Sequence, residues 1–337
     1  AGTLQVSIAA PRASLAIPVR LRISSVPFPE RPRCHLGGWD YTDSASTYDA
    51  VPSNRDLLVA YLRERYCDTP WAGGGALPGV KASDFDAAGK LTAKLDFARL
   101  DDWVRRWTEP IPGHPDARPA RLFMTFVNGG KEFAGAKLGE PQFAARVTAW
   151  ITAIAAHLKE IGLRPDQLGL LIYDEPNNEV PTPLIRGWAD AIHAAGTGIR
   201  VFEDPQYREP GKPGIREALE ACDILSPFVP TYFQLDAEKR GVYRSLTARE
   251  RKLWFYNACG PVRALDPYAY HRLQHWLCFR EGGEGSEFWA FGDAGGGSSW
   301  NERGSKRGSG YAPQYLAKDS VTDSKHMMGI IEGIQDH

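Results

Sequence analysis

Nowhere in the 337 residues does an apolar run approach the ~18 needed to cross a bilayer as a helix, so no membrane span is expected. Neither sign of charge prevails. The 40 Lys and Arg residues stand against 41 Asp and Glu, leaving no field to gather nucleic acid or an anionic membrane. Cysteine is scarce: Cys34, Cys67, Cys222, Cys259 and Cys278 show no CxxC spacing, and an odd, scattered set argues against a disulfide framework. There is no HExxH or comparable pairing of His with carboxylates, and His271, His275 and His326 fall on expected outer helices. No catalytic metal and no cofactor are therefore expected. No Gly-rich phosphate fingerprint follows the first strand, which lowers the case for a dinucleotide fold. The opening AGTLQVSIAA lacks the charged start and apolar core of a secretion signal.

What the chain does have is aromatic residues in polar, Gly-rich surroundings. GGWDYTD, FWAFGD and SSWNERG stand out in a chain with ten Trp and thirteen Tyr. Flat C–H faces of sugar rings stack on such side chains, although each ring taken singly is as well explained by ordinary packing.

Two short stretches of β character, LQVSIAA and LAIPVRLRIS, occupy residues 3–26. Two strands make no stable sheet alone, so residues 1–30 read as an edge sheet or the tail of a β-sandwich. The helical pattern DSKHMMGIIEGIQDH runs to the last residue without a stop signal. Between them, from residue 31 on, apolar strands alternate with amphipathic helices. Strands are expected at 34–39, 80–83, 121–127, 168–174, 199–204, 223–228, 253–258 and 287–292. Helices are expected at 53–66, 97–107, 141–161, 181–195, 214–221, 236–250 and 267–280, with one more after 319. Eight strand–helix pairs specify an α/β fold, a (β/α)8 TIM barrel over residues 31–337, with residues 71–96 as a long loop over its mouth.

In such barrels chemistry sits at the C-terminal strand ends. Those ends would present His35, Trp39, Asp40, Tyr41, Asp84, Asn128, Asp174, Glu175, Glu203, Asp204, Tyr232, Asn257, Trp289 and Asp293. The set is acidic, aromatic and amide-rich with few cations. It suits a neutral polyhydroxylated substrate better than a phosphate. LLIYDEPNNE is the sharpest signal: four apolar residues run into two carboxylates, and Pro176 stops the strand. Two neighbouring acids repel when both ionise, which favours keeping one protonated, as glycosidic cleavage requires. A solvated acidic pair complementing the dipole of the following helix is the plainer reading.

Consecutive residues on one strand end lie on the same side of a sugar, whereas two-carboxylate glycosidases flank it. The arrangement fits a route in which the sugar's own 2-acetamido oxygen attacks the anomeric carbon. Asp174 would then orient the acetamido N–H and Glu175 act as general acid/base. Tyr232 would support the acetamido carbonyl, and Trp289 and Trp300 would wall the sugar. His35, Asp40 and Asn257 would bind hydroxyls, with Trp39 and Asn128 as further substrate-binding residues. Glu203 and Asp204 form a rival pair: either could partner Glu175 in a glycosidase for a sugar lacking the acetamido group. A non-catalytic carbohydrate-binding barrel and a purely structural barrel are the alternatives from other classes.

The runs IYDEPNNE, WFYNACGP, YHRLQHWLCFREGGEGSEFWAFGD, SSWNE and DSVTDSKHMMGIIEGIQDH resemble the glycoside hydrolase family 123-like proteins, the DUF4091 group. The resemblance covers most of residues 30–337 and is strongest from 168 onward. It implies a β-sandwich ahead of a TIM barrel, and retaining, substrate-assisted β-N-acetylgalactosaminidase chemistry on an adjacent Asp-Glu pair. Carried to this chain, it implies Asp174 as the acetamido-orienting residue and Glu175 as the acid/base. A glycan substrate and a secreted or periplasmic location are the matching expectations.

Overall fold

A computed structural model describes residues 2–10, 13–21, 25, 31–43, 50–127, 129–177, 182–248, 251–294, 299–300 and 310–337. The chain divides into two units, residues 1–32 and 33–337. In the first, the strands Gly2–Ala10 and Ala13–Leu21 pair antiparallel, in register from Gly2 opposite Leu21 to Ala10 opposite Ala13.

The second unit is a parallel barrel. Its strands are β1 (His35–Gly37), β2 (Trp71–Ala72), β3 (Phe123–Phe126), β4 (Leu168–Leu171), β5 (Arg200–Glu203), β6 (Ile224–Leu225), β7 (Lys252–Asn257) and β8 (Gly285–Phe288). They hydrogen-bond in the order β1-β8-β7-β6-β5-β4-β3-β2, and a parallel bridge between Gly37 and Thr69 joins the two ends. Sequence order thus follows spatial order round the ring, the (β/α)8 arrangement that regular alternation specified.

The helices are α1 (Arg55–Glu64), α2 (Ala98–Thr108), α3 (Pro141–Glu160), α4 (Thr182–His193), α5 (Ile215–Glu220), α6 (Val229–Gln234), α7 (Ala237–Thr247), α8 (Leu273–Glu281) and α9 (Lys325–Asp336). Local chemistry explains several ends. Pro141 begins α3, where its missing N–H costs nothing. Asp236 caps α7 by accepting from Lys239 N–H, and Ser324 caps α9 by accepting from the N–H groups of His326 and Met327.

One strand expectation is corrected. Residues 80–83 are not a strand; a single 3-10 turn covers Ala82–Asp84, where Asp84 accepts from Lys81 N–H. The second barrel strand lies earlier, at Trp71–Ala72, inside the stretch read as a loop. Strand β8 also begins and ends earlier than expected, leaving Trp289 beyond its end. Helix α6, six residues long, falls between the expected strand at 223–228 and the expected helix at 236–250, where no helix was expected.

Alternation along the strands builds two cores. Leu253 and Phe255 of β7, Leu168 and Leu170 of β4 and Val201 of β5 face the helices. Their neighbours Trp254, Tyr256, Leu171 and Phe202 face the lumen, joined there by Trp39, Trp71 and Met124. The lumen is therefore filled, and filled mostly by rings. Room for them is made by glycine: a Cβ on Gly285 would stand 2.1 Å from the Trp254 ring. A carboxyl shares this interior with the rings. Glu287 on β8 is fully buried and accepts from Trp71 Nε1 at 2.7 Å and from the Ser226 hydroxyl at 3.1 Å. Burial pushes its carboxyl up to about 8, so it is neutral at pH 7.

Candidate active site

At the C-terminal end of β4 the chain turns sharply outward. Glu175 takes a left-handed backbone, φ 49°, which a β-carbon makes unfavourable by ~1–3 kcal/mol. Trp39 (φ 42°) and Tyr41 (φ 53°) beyond β1 are in the same region. Three of the five non-glycine residues with positive φ among those described thus border one rim, and backbone strain of this kind concentrates where side chains must be aimed.

What the strain presents is a cleft of about 220 Å³. Asp174, Glu175 and, from the end of β5, Asp204 form its acidic wall. Trp39, Tyr256, Trp289 and Tyr311, with Ala258, complete it. Trp39 stacks on Trp71 at 4.5 Å and lies 5.8 Å from Trp289, so the aromatic side continues into the packed lumen. The Trp39 indole N–H is buried without a hydrogen-bond partner.

The carboxylates are organised by depth. Asp174 is exposed; partial burial and the Glu175 charge raise its pKa, and a hydrogen bond with Asp204 opposes that rise. Asp204 is buried, and burial together with the Asp174 and Glu203 charges holds its carboxyl well above the usual range. Asp204 is joined to Asp174 by a hydrogen bond, and its Oδ1 accepts the Glu175 N–H at 2.9 Å. Glu203 lies deeper, its carboxyl also pushed well up by burial, and accepts the Tyr173 N–H at 3.1 Å. Glu175 Oε1 accepts from the Tyr256 hydroxyl at 2.8 Å, and that oxygen accepts in turn from Gln206 Nε2 at 3.2 Å. Burial first, then the neighbouring acids, raises the Tyr256 pKa, so it remains a neutral donor.

Of the residues singled out in the sequence, the cleft gathers Asp174, Glu175, Asp204, Trp39 and Trp289. The others stand elsewhere. His35 begins β1 rather than ending it; its ring stacks on Trp254 at 5.2 Å and pairs with Asp68 at 3.2 Å. Asp40 is wholly buried, anchoring the rim by accepting from the N–H and hydroxyl of Thr42 and from Trp71 N–H. Burial lifts its pKa to about 7.

Tyr232 faces away from the lumen. It packs on Phe255, an outward residue of β7, and its hydroxyl donates to Glu281 at 3.1 Å. Asn257 is buried and ties its carbonyl oxygen to Ala258 N–H. Trp300, 60% exposed, stacks on Tyr315 at 4.2 Å outside the cleft lining. Glu203 backs the cleft without lining it, and Asn128 lies outside the described residues. Tyr256, Gln206 and Tyr311 went unremarked in the sequence; the inward parity of Tyr256 on β7 was the available signal.

No protein-family model matches the sequence, and no curated protein matches it by sequence. Solved structures do match in fold. A family 123 glycoside hydrolase from Clostridium perfringens superposes with a TM-score of 0.65 at 12% identity, over 99% of this chain and 64% of that one. This chain therefore spans less than two thirds of that protein. The endo-1,4-β-D-mannanase of Thermotoga petrophila RKU-1 gives 0.54 at 13% identity, over 91% of this chain and all of the other. A family 10 endo-β-1,4-xylanase from Gloeophyllum trabeum gives 0.51 at 13%, over 92% and 100%. At such identities the likeness establishes the barrel fold.

Proposed function

We propose that the chain is a glycoside hydrolase that cleaves β-linked 2-acetamido sugars with retention, using the substrate's acetamido oxygen as nucleophile. The observation that carries this reading is the one-sidedness of the cleft. Among the described residues, its acids come from the adjoining ends of β4 and β5, and the rest of its lining is aromatic or apolar. A conventional retaining enzyme needs a second carboxylate across the sugar, about 5 Å from the first. Here the remaining wall offers rings instead, suited to the apolar face of a sugar. The barrel neighbours, three of them carbohydrate hydrolases, agree with the general class.

In this scheme Asp174, hydrogen-bonded to Asp204, accepts the acetamido N–H and polarises the group toward attack. Glu175 first protonates the departing oxygen and then, as a base, draws the proton from the water that opens the cyclic intermediate. Tyr256 holds Glu175 in place. Pairing Glu175 with Asp204 as a two-carboxylate glycosidase is the second reading. Against it, Asp204 is buried and turned to Asp174 and the Glu175 backbone.

Aryl β-N-acetylgalactosaminide and aryl β-galactoside, assayed side by side, separate the two. Cleavage of the first alone, with tight inhibition by a thiazoline analogue, is the expected result. Equal turnover of both would rule out assistance by the acetamido group, and turnover of neither by the intact chain would remove the hydrolase reading.

A further inference from the structure

At the opposite end of the barrel from the cleft, three groups that no catalytic argument uses come together. Cys34 immediately precedes β1, Cys278 lies on α8, and His337 follows α9. The two sulfurs are 3.9 Å apart, and one ring nitrogen of His337 completes a triangle in which all three ligand atoms lie within 4.8 Å of one another. Both thiols are buried and unoxidised. Both nitrogens of the His337 ring are shielded from solvent, and the ring faces the Cys278 thiol. The thiols make long contacts to backbone, Cys34 to the His35 carbonyl at 3.4 Å and Cys278 to the Gly285 carbonyl at 3.4 Å, and Cys278 also interacts with the His337 ring.

We propose that Cys34, Cys278 and His337 bind a single thiophilic divalent cation of the zinc type. Two thiolates bonded at ~2.3 Å to one tetrahedral ion stand about 3.8 Å apart, close to the separation found here. Two sulfurs and one imidazole are a soft donor set that calcium and magnesium do not favour. His337 is partly exposed, which gives the ion a route in and leaves a water as fourth ligand. Binding displaces the two thiol protons to solvent; no redox step is involved.

The position makes the site structural. It joins the start of the first barrel strand to the last two helices of the same unit, segments 244 residues apart at the two cysteines. A link across so long a stretch restrains the unfolded chain more than a local one does.

The full chain, reduced, stripped with a chelator and desalted, is titrated with Zn2+ against a chromogenic zinc indicator. One equivalent is expected to bind and to raise the thermal midpoint by at least ~3 °C. Co2+ in place of zinc is expected to give thiolate-to-cobalt charge-transfer absorption with visible bands of tetrahedral intensity. His337→Ala is expected to weaken zinc at least ~10-fold without changing the metal-free midpoint, and Cys278→Ser to abolish the cobalt signal. Three results overturn the proposal: no stoichiometric zinc on the reduced chain, a cobalt complex without sulfur charge transfer, or undiminished affinity in His337→Ala. Isolation as a Cys34–Cys278 disulfide that persists in excess zinc overturns it as well. Should Cys278→Ser fail to fold, the cobalt spectrum and His337→Ala still decide.

Discussion

The side chain with most consequence for the proposed chemistry is Tyr256, because it alone donates to the Glu175 carboxyl in the described contacts. A hydrogen bond to the carboxylate that Glu175 becomes on giving up its proton is worth ~1.5–3 kcal/mol, a factor of about 10 to 100. Tyr256→Phe is therefore expected to lower kcat by roughly that factor with a smaller change in KM, measured on an aryl glycoside. Glu175→Gln tests the acid role itself. Proton transfer contributes about 10²–10⁴-fold. The loss should reach that size on a phenyl leaving group and shrink below about tenfold on a dinitrophenyl one. Equal losses on both would assign Glu175 to binding instead.

The acids at this scale also mark how far sequence carries. The rim position of Asp174 and Glu175 was legible because apolar residues run straight into them and proline follows. The depth of Glu203 and Asp204 was not, since adjacent acids look alike until the fold separates the solvated from the buried. His35 was assigned to the wrong end of its strand because β1 is only three residues long, too short for alternation to fix its bounds. Tyr232 was drawn to the mouth by a Pro-Thr-Tyr sequence that reads as a turn and folds as the six-residue helix α6.

Among elements, the loops leaving β1 and β8 depend on one another. A Cβ on Gly292 would stand 2.3 Å from the Asp40 carbonyl oxygen, backbone that cannot yield. Gly292→Ala is expected to push the β8 loop, with Trp289, away from Trp39 and widen the cleft. An error near 1 Å in placing a substrate costs up to ~100-fold, so kcat/KM should fall between tenfold and a hundredfold while far-ultraviolet circular dichroism stays unchanged. Apart from α6, the helices and long strands were read from sequence within a few residues, because each carries a full amphipathic stripe or apolar run. Strand β2 was missed for the opposite reason: two residues, Trp71 and Ala72, leave no periodicity, and its partners supply the ladder.

For the molecule as a whole, the barrel interior carries a dependence on pH. Glu287 ionises near 4.3 in the unfolded chain but at about 8 when folded. Its neutral form therefore supports the fold fully below ~4.3, and that support drains away as pH rises toward 8. Glu287→Gln keeps an acceptor for Trp71 and a group able to pair with Ser226. Chemical denaturation at a series of pH values should show the variant gaining on the parent above pH 4.3, by at most ~1.4 kcal/mol per pH unit. A gap that does not change with pH would mean that Glu287 does not ionise in this window. Composition could not have foretold this, since the group sits on a strand where parity sends every second residue inward whatever its chemistry.

Where β1 meets β2, one bridge does the work that several ladder bonds do elsewhere in the ring. Leu36 O accepts from both Asp68 and Thr69 N–H, and the Asp68 carboxylate takes up the Leu36 N–H at 3.1 Å, His35 and Arg121. Burial alone would raise the Asp68 pKa, but His35, Arg121 and the Leu36 N–H outweigh it and hold the group ionised below the usual aspartate range. A depressed carboxyl lends its support above the unfolded value and withdraws it as acid reaches the folded one. The cylinder is thus fastened at its thinnest point by a charge. On acidification, amide exchange should quicken along this join before it does between β4 and β5, so that the wall parts there first and unrolls from an edge.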